Sequence, residues 1–430
     1  MVHILFLSQV LPYPLNSGAK IRQYHMLRHL AQRHKVTLVS FTRADDPPEA
    51  VAHLRGICHA VHTIPMRRSL WRNVRAAAKG VISGLPMVVA RDEVAEMGLV
   101  LRRLVEEHAY DVIHADQLSM AWWGRLAARL SGVRPPLTLL DEHNAVYLLT
   151  RRMADTERNL LRWIITVREA RAFARYERAM CQEFDAILTV TAEDRKHLLA
   201  LFAPDERERL ATRITEVPIC GDPEAVSPVA HRDSEQPTVL HLGTMFWPPN
   251  ANGVLWFARE VLPLIHQQVS QARFVVVGKN PPPEVQALAT DPRIDVTGYV
   301  ADPAPYLEAA DAFVIPLHAG GGMRVKIVDA WLWGLPIVST PVGAEGMRVQ
   351  DGENILLAED ASAFARAVVR LLTEPDLNRR LRVAGRAWVE ANYAWSVVYR
   401  KVDRVYSSLL GVDEMGRSAP LTVTEGTSLL

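Results

Sequence analysis

Short apolar runs of strand length recur along the chain, with helical patterns between them. Five lie at 4–7, 36–41, 111–114, 137–140 and 186–190, and five more at 239–242, 274–278, 294–296, 312–316 and 336–339. Strands that are apolar on both faces and alternate with helices predict parallel sheets covered by helices. Between the two groups, 219–236 has Gly221, no periodicity and a polar end at 231–236, which predicts an interdomain linker. The expected organisation is therefore a doubly wound α/β domain over 1–228 and a second over 229–394. Past Tyr393, Val397, Val398, Val402, Val405, Tyr406 and Leu409 keep helical spacing, so a helix is expected over 395–410. Residues 411–430 are rich in Ser, Thr and Gly with no core pattern, and are expected to form a disordered tail.

The length of 430 residues agrees with two or three domains at about 150 residues each. The net charge of +1 excludes the global field of a nucleic-acid binder, so any basic surface is local. Up to Asp233 there are 32 basic and 27 acidic residues, against 17 and 21 in the remainder, so the N-terminal half is the basic one. Cys58, Cys181 and Cys220 are too few and too far apart for a disulfide framework or a zinc spacing, and a cytoplasmic setting is expected. Residues 1–10 read as the first strand rather than as a signal peptide. No stretch reaches ~18 consecutive apolar residues, which excludes a spanning helix and leaves peripheral membrane contact open.

Facing doubly wound domains bind ligands at the carboxyl ends of their strands, so candidate chemistry is sought there. After the first strand, the loop 11–18 ends in Gly18 and leads into a helix, a place where backbone amides could meet a phosphate or sugar oxygen. After the strand 312–316 comes Ala319-Gly320-Gly321-Gly322-Met323-Arg324-Val325-Lys326, opening a helix. Three glycines, two cations and a helix N-terminus together describe a diphosphate site. Asp329, one turn into that helix, could accept hydrogen bonds from ribose hydroxyls. His114 and Asp116 end the third strand, and Asp141, Glu142, His143 and Asn144 end the fourth. They form no spacing that demands a metal, and a core histidine is the plain alternative for His114.

Two basic stretches complete the inventory. Residues 66–79 hold five cations and no acid, with Leu70, Trp71, Val74 and Ala78 at helical spacing, as in an interfacial helix meeting anionic lipid or in a solvated face. Residues 151–178 mix eight Arg with four acids, and their interleaved Leu160, Leu161, Trp163, Ile164, Val167 and Phe173 predict one long helix with a buried face.

The glycine-rich loop, the following Lys326-Ile-Val-Asp329-Ala-Trp-Leu-Trp-Gly-Leu-Pro-Ile-Val-Ser-Thr340-Pro-Val-Gly343 and the later Asp351-Gly352-Glu353-Asn354 resemble a family 4 retaining glycosyltransferase of the GT-B fold, in the variant found in bacterial exopolysaccharide clusters. The resemblance covers nearly the whole chain. It implies a nucleotide-sugar donor held by the C-terminal domain, a saccharide or lipid-linked acceptor on the N-terminal one, no metal or other cofactor, and a last helix that returns to the N-terminal domain. Asp329 matches the second carboxylate of the family's Glu-x7-Glu motif, while the first falls on Gly321. The family's basic pair is missing from 241–253, which carries Thr244, so Arg324 and Lys326 are expected to supply that charge. Gly278 and Lys279 match donor contacts, and Tyr299 and Val300 the segment that reads the nucleobase by its backbone. Thr244, Gly320, Gly321, Gly322, Met323 and Gly18 are counted with the donor site. Asp116 matches a position beside the transferred sugar, where it could accept the acceptor's proton, with His114, His143 and Asn144 on the acceptor side. The expected function is retaining sugar transfer in cell-surface or exopolysaccharide synthesis, at the cytoplasmic face of the inner membrane if 67–79 touches lipid. The missing carboxylate at Gly321 leaves a noncatalytic nucleotide-sugar-binding or scaffold protein as the alternative.

Overall fold

The computed structural model describes all residues except 16, 67–68, 133, 158, 232–235, 321 and 412–430. The tail 412–430, Gly321, Arg67 and Arg68 thus lie outside the described residues. The chain divides into two units: Met1–Val190 with Asp194–Val217 and the segment from Tyr399, and Thr191–Glu193 with Pro218–Val398.

The first unit is built on seven parallel strands, β1 (His3–Ser8), β2 (Lys35–Thr42), β3 (Ala60–Pro65), β4 (Val112–Asp116), β5 (Leu137–Glu142), β6 (Ala186–Thr189) and β7 (Ile214–Glu216), in the order β3-β2-β1-β4-β5-β6-β7. The second carries β8 (Thr238–Leu242), β9 (Arg273–Val277), β10 (Ile294–Gly298), β11 (Ala312–Ile315), β12 (Ile337–Ser339) and β13 (Leu356–Leu357), in the order β10-β9-β8-β11-β12-β13. Central strands such as β1, β4, β9 and β11 are almost wholly buried, as their unbroken apolar runs require. In each sheet the strand order reverses beside the first strand, between β1 and β4 and between β8 and β11. Those switch points are where doubly wound sheets open a crevice at their carboxyl ends.

The chain leaves the first unit at Val217, earlier than the expected boundary at 228. The Val217 amide still donates to Thr189 O (2.7 Å), and then 218–231 attaches to the second unit. Arg386 clasps it there through Pro223 O (2.8 Å) and Val226 O (2.7 Å). These carbonyls have no ladder partner, and a guanidinium with five donors satisfies several at once. The helix Arg400–Leu410 belongs to the first unit: Tyr399 Oη donates to Arg22 O (3.2 Å), Asp403 pairs with His29 (2.7 Å), and Tyr406 reaches His114 (2.8 Å).

The basic stretch 151–178 departs from its expected form. It is a hairpin of the helices Val146–Thr156 and Leu160–Glu183, broken where Asn159 caps the second through the Arg162 amide (3.1 Å). Leu160, Leu161, Trp163, Ile164 and Ile165 are exposed, and only from Ala170 onward does the helix bury a face.

Candidate functional site

In the first unit, the ends of β4 and β5 hold a buried polar network. Arg22, one turn into the helix Gly18–Ala31, grips Asp141 with Nε (2.9 Å) and Nη2 (2.7 Å), and Nη1 donates to Val217 O (2.5 Å). Burial alone would raise the Asp141 carboxyl, but the guanidinium holds it below the usual range. Asp116 accepts from Gln23 Nε2 and from His143 Nε2 (3.0 Å), and burial raises its carboxyl against the pull of His143. Gln117 follows at φ 73°, a left-handed conformation at the strand end of the kind that strained sites retain. Its Nε2 approaches His143 Nδ1 (3.4 Å), so the ring donates toward Asp116 and accepts from Gln117.

This geometry changes the expected role of Asp116. The carboxylate is fully buried, so an acceptor hydroxyl does not reach it directly; His143 and Asn144 are the partly exposed groups. His114 is buried, neutral and held by Tyr406 Oη, its pKa lowered by burial to about 4. It is a core histidine beneath the site, bonded at Nδ1 alone, with Nε2 buried 3.9 Å from Asp141 Oδ2 and outside hydrogen-bond distance. His114, Asp116 and Asp141 bring ligand-type atoms within 4.8 Å of one another, yet Arg22 already places a cation on Asp141. Arg22 and Gln23 escaped the sequence reading because their partners lie 119 and 93 residues away.

Behind Asp141, Glu142 and Glu177 form a buried carboxyl pair. Glu177 accepts the amides of Val146 (2.5 Å) and Tyr147 (3.3 Å) at a helix N-terminus. Burial and the neighbouring Glu177 push Glu142 far up, and burial brings Glu177 to about 8. The pair therefore holds a proton at neutral pH.

In the second unit the helix Pro248–Trp256, which follows β8, meets the helix Val325–Leu332. Lys326 Nζ donates to Asn250 Oδ1 (3.0 Å), and Asn250 Nδ2 to Thr244 O (2.9 Å). His241 is fully buried. Its Nδ1 contacts Val314 O (2.8 Å), which fixes the proton on Nδ1 and leaves Nε2 an unpartnered acceptor. Gly243 sits among them: a Cβ there would lie 2.9 Å from Lys326 Nζ, 3.0 Å from Asn250 Nδ2 and 3.3 Å from His241 Nε2. The missing side chain leaves a small polar cradle lined by a cation. Burial and the neighbouring Arg324 lower Lys326 to about 7, and burial raises Asp329 to about 7.

Other expected donor residues scatter around this centre. Gly278 allows its backbone to approach the Gly243 carbonyl, which a Cβ would overlap, and Lys279 Nζ stands 4.5 Å above the exposed Tyr299 ring, with Val300 beside it. Gly320 (φ 133°) and Gly322 (φ 73°) adopt conformations that favour glycine. Arg324 is not the free cation expected. It is buried and turned back on Val342 O (3.0 Å), with Glu345 at 3.5 Å, because the chain after β12 returns its carbonyls beside the loop. Met323 also faces inward, its sulfur accepting from the Ile219 amide (3.2 Å). In the first unit Gly18 opens its helix behind the Ser17 cap.

Two Rossmann-like sheets, each with polar groups at its strand ends, make up the GT-B fold. A family of glycosyl transferase 4-like domains matches residues 17–213, and the glycosyl transferases of group 1 match 236–374. The chain belongs to these glycosyltransferases. It is 21% identical over 416 residues to an uncharacterized 44.6 kDa protein in the cps region of Klebsiella pneumoniae, covering 94% of this chain and 99% of that one. It is 27% identical over 320 residues to a GDP-mannose-dependent alpha-(1-6)-phosphatidylinositol monomannoside mannosyltransferase of Mycobacterium tuberculosis, covering 70% and 77%. The fold resembles that of Anabaena HepE, solved in complex with UDP and glucose, at a TM-score of 0.65 and 14% identity over 95% and 100% of the two chains. The protein is a glycosyltransferase that moves sugar from a nucleotide sugar in glycoconjugate biosynthesis.

Proposed function

We propose that this enzyme transfers a hexose, with retention, from a nucleoside diphosphate sugar to a hydroxyl of a saccharide or lipid-linked acceptor in bacterial cell-surface polysaccharide synthesis. The observation that carries the reading is the cradle at Gly243, where Lys326, Asn250 and His241 converge at a strand switch point. A diphosphate seated there meets Lys326 Nζ, the amides of Gly320 and Gly322, and the N-terminus of the Val325–Leu332 helix. Asp329 receives ribose hydroxyls, and the ends of β9 and β10 at Lys279 and Tyr299 take the base. As the bond from sugar to diphosphate breaks, charge grows on the departing phosphate, and these groups oppose it without a metal. The acceptor oxygen attacks on the same face. His143, oriented by Asp116 through Nε2, takes the acceptor's proton at Nδ1 as the long contact from Gln117 Nε2 gives way.

Support for the donor class comes from the UDP and glucose bound by the Anabaena protein and the GDP-mannose dependence in the mycobacterial relative's name. Support for the setting comes from the cps region that the Klebsiella relative's name cites, and for a lipid acceptor from the phosphatidylinositol in the mycobacterial name. The basic helix within 67–79 contacts anionic lipid in this reading, on the cytoplasmic face. No described helix is long and apolar enough to cross a membrane. The test is release of nucleoside diphosphate from UDP-, GDP- and dTDP-sugars with and without acceptor. Turnover of one donor, with retained anomeric configuration in the product, supports the reading, and nucleotide binding without turnover of any donor favours the noncatalytic alternative.

A further inference from the structure

Large apolar side chains are exposed in one region of the first unit far more than elsewhere. On the helix Leu70–Ser83, only the small residues Ala76 and Gly80 turn inward among the side chains described, while Trp71 (80% exposed), Val74, Val81 and Ile82 (86%) face out at helical spacing. At the tip of the hairpin, Leu160, Leu161, Trp163, Ile164 and Ile165 are exposed, with Met153 on the preceding helix. The two groups are joined. Arg168, one turn beyond Ile164, donates to Leu85 O (3.1 Å) and to Gly80 O, and Glu169 accepts the Met87 amide (2.8 Å). The apolar end of the first helix thus lies against the base of the hairpin tip.

The hairpin also has a definite direction. Glu177 is level with the site end of the sheet, because it accepts the Val146 amide just past β5 and its neighbours His143 and Asn144. The helix from Leu160 to Glu177 is about 25 Å long at 1.5 Å per residue, and it runs from the tip back toward the strand ends. The exposed apolar tip stands on the same end of the sheet as the acceptor-side residues.

We infer that the hairpin tip and the Leu70–Ser83 helix form one foot that inserts into an anionic bilayer interface and holds the acceptor-side site toward it. This rests on the proposed lipid contact of 67–79 and adds a second, apolar element to it. Two tryptophans among aliphatic side chains suit the interfacial zone. Exposed Arg151, Arg152 and Arg162 outnumber the exposed Asp155 at the tip, and a groove of about 550 Å³ beside the other helix is lined by Ser69, Trp71, Arg75, Lys79, Arg91 and Glu93, the last paired with Lys79. Anionic headgroups complement that border. A protein partner would be an equally apolar cover, but the mixture of protruding aliphatics and a cationic rim fits lipid.

Sedimentation of the full-length protein with vesicles of phosphatidylglycerol and phosphatidylethanolamine tests this. The wild type is expected to bind and to remain partly bound at about 1 M salt, where the Debye length is ~3 Å and only apolar insertion persists. The double variant Leu161→Glu, Ile164→Glu should lose at least about tenfold in partitioning and all of its salt-resistant fraction. Its melting temperature should match the wild type because both side chains are exposed. Val383→Glu, an exposed apolar position on the second unit, should partition as the wild type does. Salt-releasable binding identical in wild type and double variant would overturn the foot while leaving the contact of 67–79 in place. Absence of vesicle binding, or self-association in solution that the double variant abolishes without any vesicle binding, overturns both. Nucleotide release from donor in vesicle-free solution, measured on the same preparations, tells either failure apart from loss of the transferase itself.

Discussion

The donor cradle predicts an unusual pH dependence for nucleotide binding. Lys326 titrates at about 7, lowered by burial and by Arg324, so in the free protein at pH 8 about one molecule in ten carries the ammonium. A diphosphate against Nζ favours the charged form, so its arrival raises that pKa and takes up a proton. Affinity is therefore greatest below the free-protein pKa and falls above it, toward a limit of tenfold per pH unit. Between pH 7 and pH 9 the loss reaches about fifty-fold, or about 2 kcal/mol, when only the ammonium binds. Asp329 also titrates at about 7, but its ionisation with rising pH favours ribose hydroxyls and opposes the trend. Lys326→Arg keeps its charge throughout and isolates the lysine contribution. Calorimetric titration of UDP and GDP at pH 6.5, 7.5 and 8.5, in buffers of different ionisation enthalpy, reads affinity and proton uptake together. Uptake approaching one proton per nucleotide above pH 8 is expected in the wild type and absent in Lys326→Arg. Identical pH profiles and proton uptake in the wild type and Lys326→Arg from pH 6.5 to 8.5 would refute a diphosphate against Lys326.

Two further outcomes follow from the geometry. Gly243→Ala places a methyl 2.9 Å from Lys326 Nζ, whose flexible end swings away; nucleoside diphosphate affinity should fall by about 1.5–3 kcal/mol with little change in melting temperature, as calorimetry and thermal unfolding would report. Glu177, raised to about 8, stabilises the first unit below the unfolded carboxyl pKa, and that contribution drains away as pH rises through 8; Glu142→Gln, an amide donor to Glu177, should flatten urea-midpoint profiles measured from pH 6 to 9, and an unchanged slope would deny the shared proton.

The buried strands were legible as apolar runs because a parallel strand is covered on both faces. Of the edge strands only β10 showed as a run: β3 is half-buried along most of its length, β7 has three residues and β13 two, too little for any run to show. Lys326 and Asp329 were readable from a glycine-rich helix entry. Asn250, the hydrogen-bond partner of Lys326, and the nearby His241 come from an earlier helix and strand, and only the fold brings them within reach. The same limit made Arg324 look available, since nothing local announces the carbonyl of Val342, 18 residues on. The apolar spacing of 160–165 was read as burial on the premise that apolar means inside, and the hairpin shows those side chains outside.

Division of labour between the two sites is the central claim, and donor turnover in two single variants tests it most directly. Lys326→Ala should weaken nucleoside diphosphate binding by the ~1.5–3 kcal/mol of a charge-assisted bond and lower kcat/KM with it. Asp116→Asn, which leaves the second unit untouched, should keep that affinity and lose transfer to acceptor, because His143 loses its carboxylate partner. Unchanged nucleotide affinity in Lys326→Ala, or full transfer by Asp116→Asn, would contradict the account.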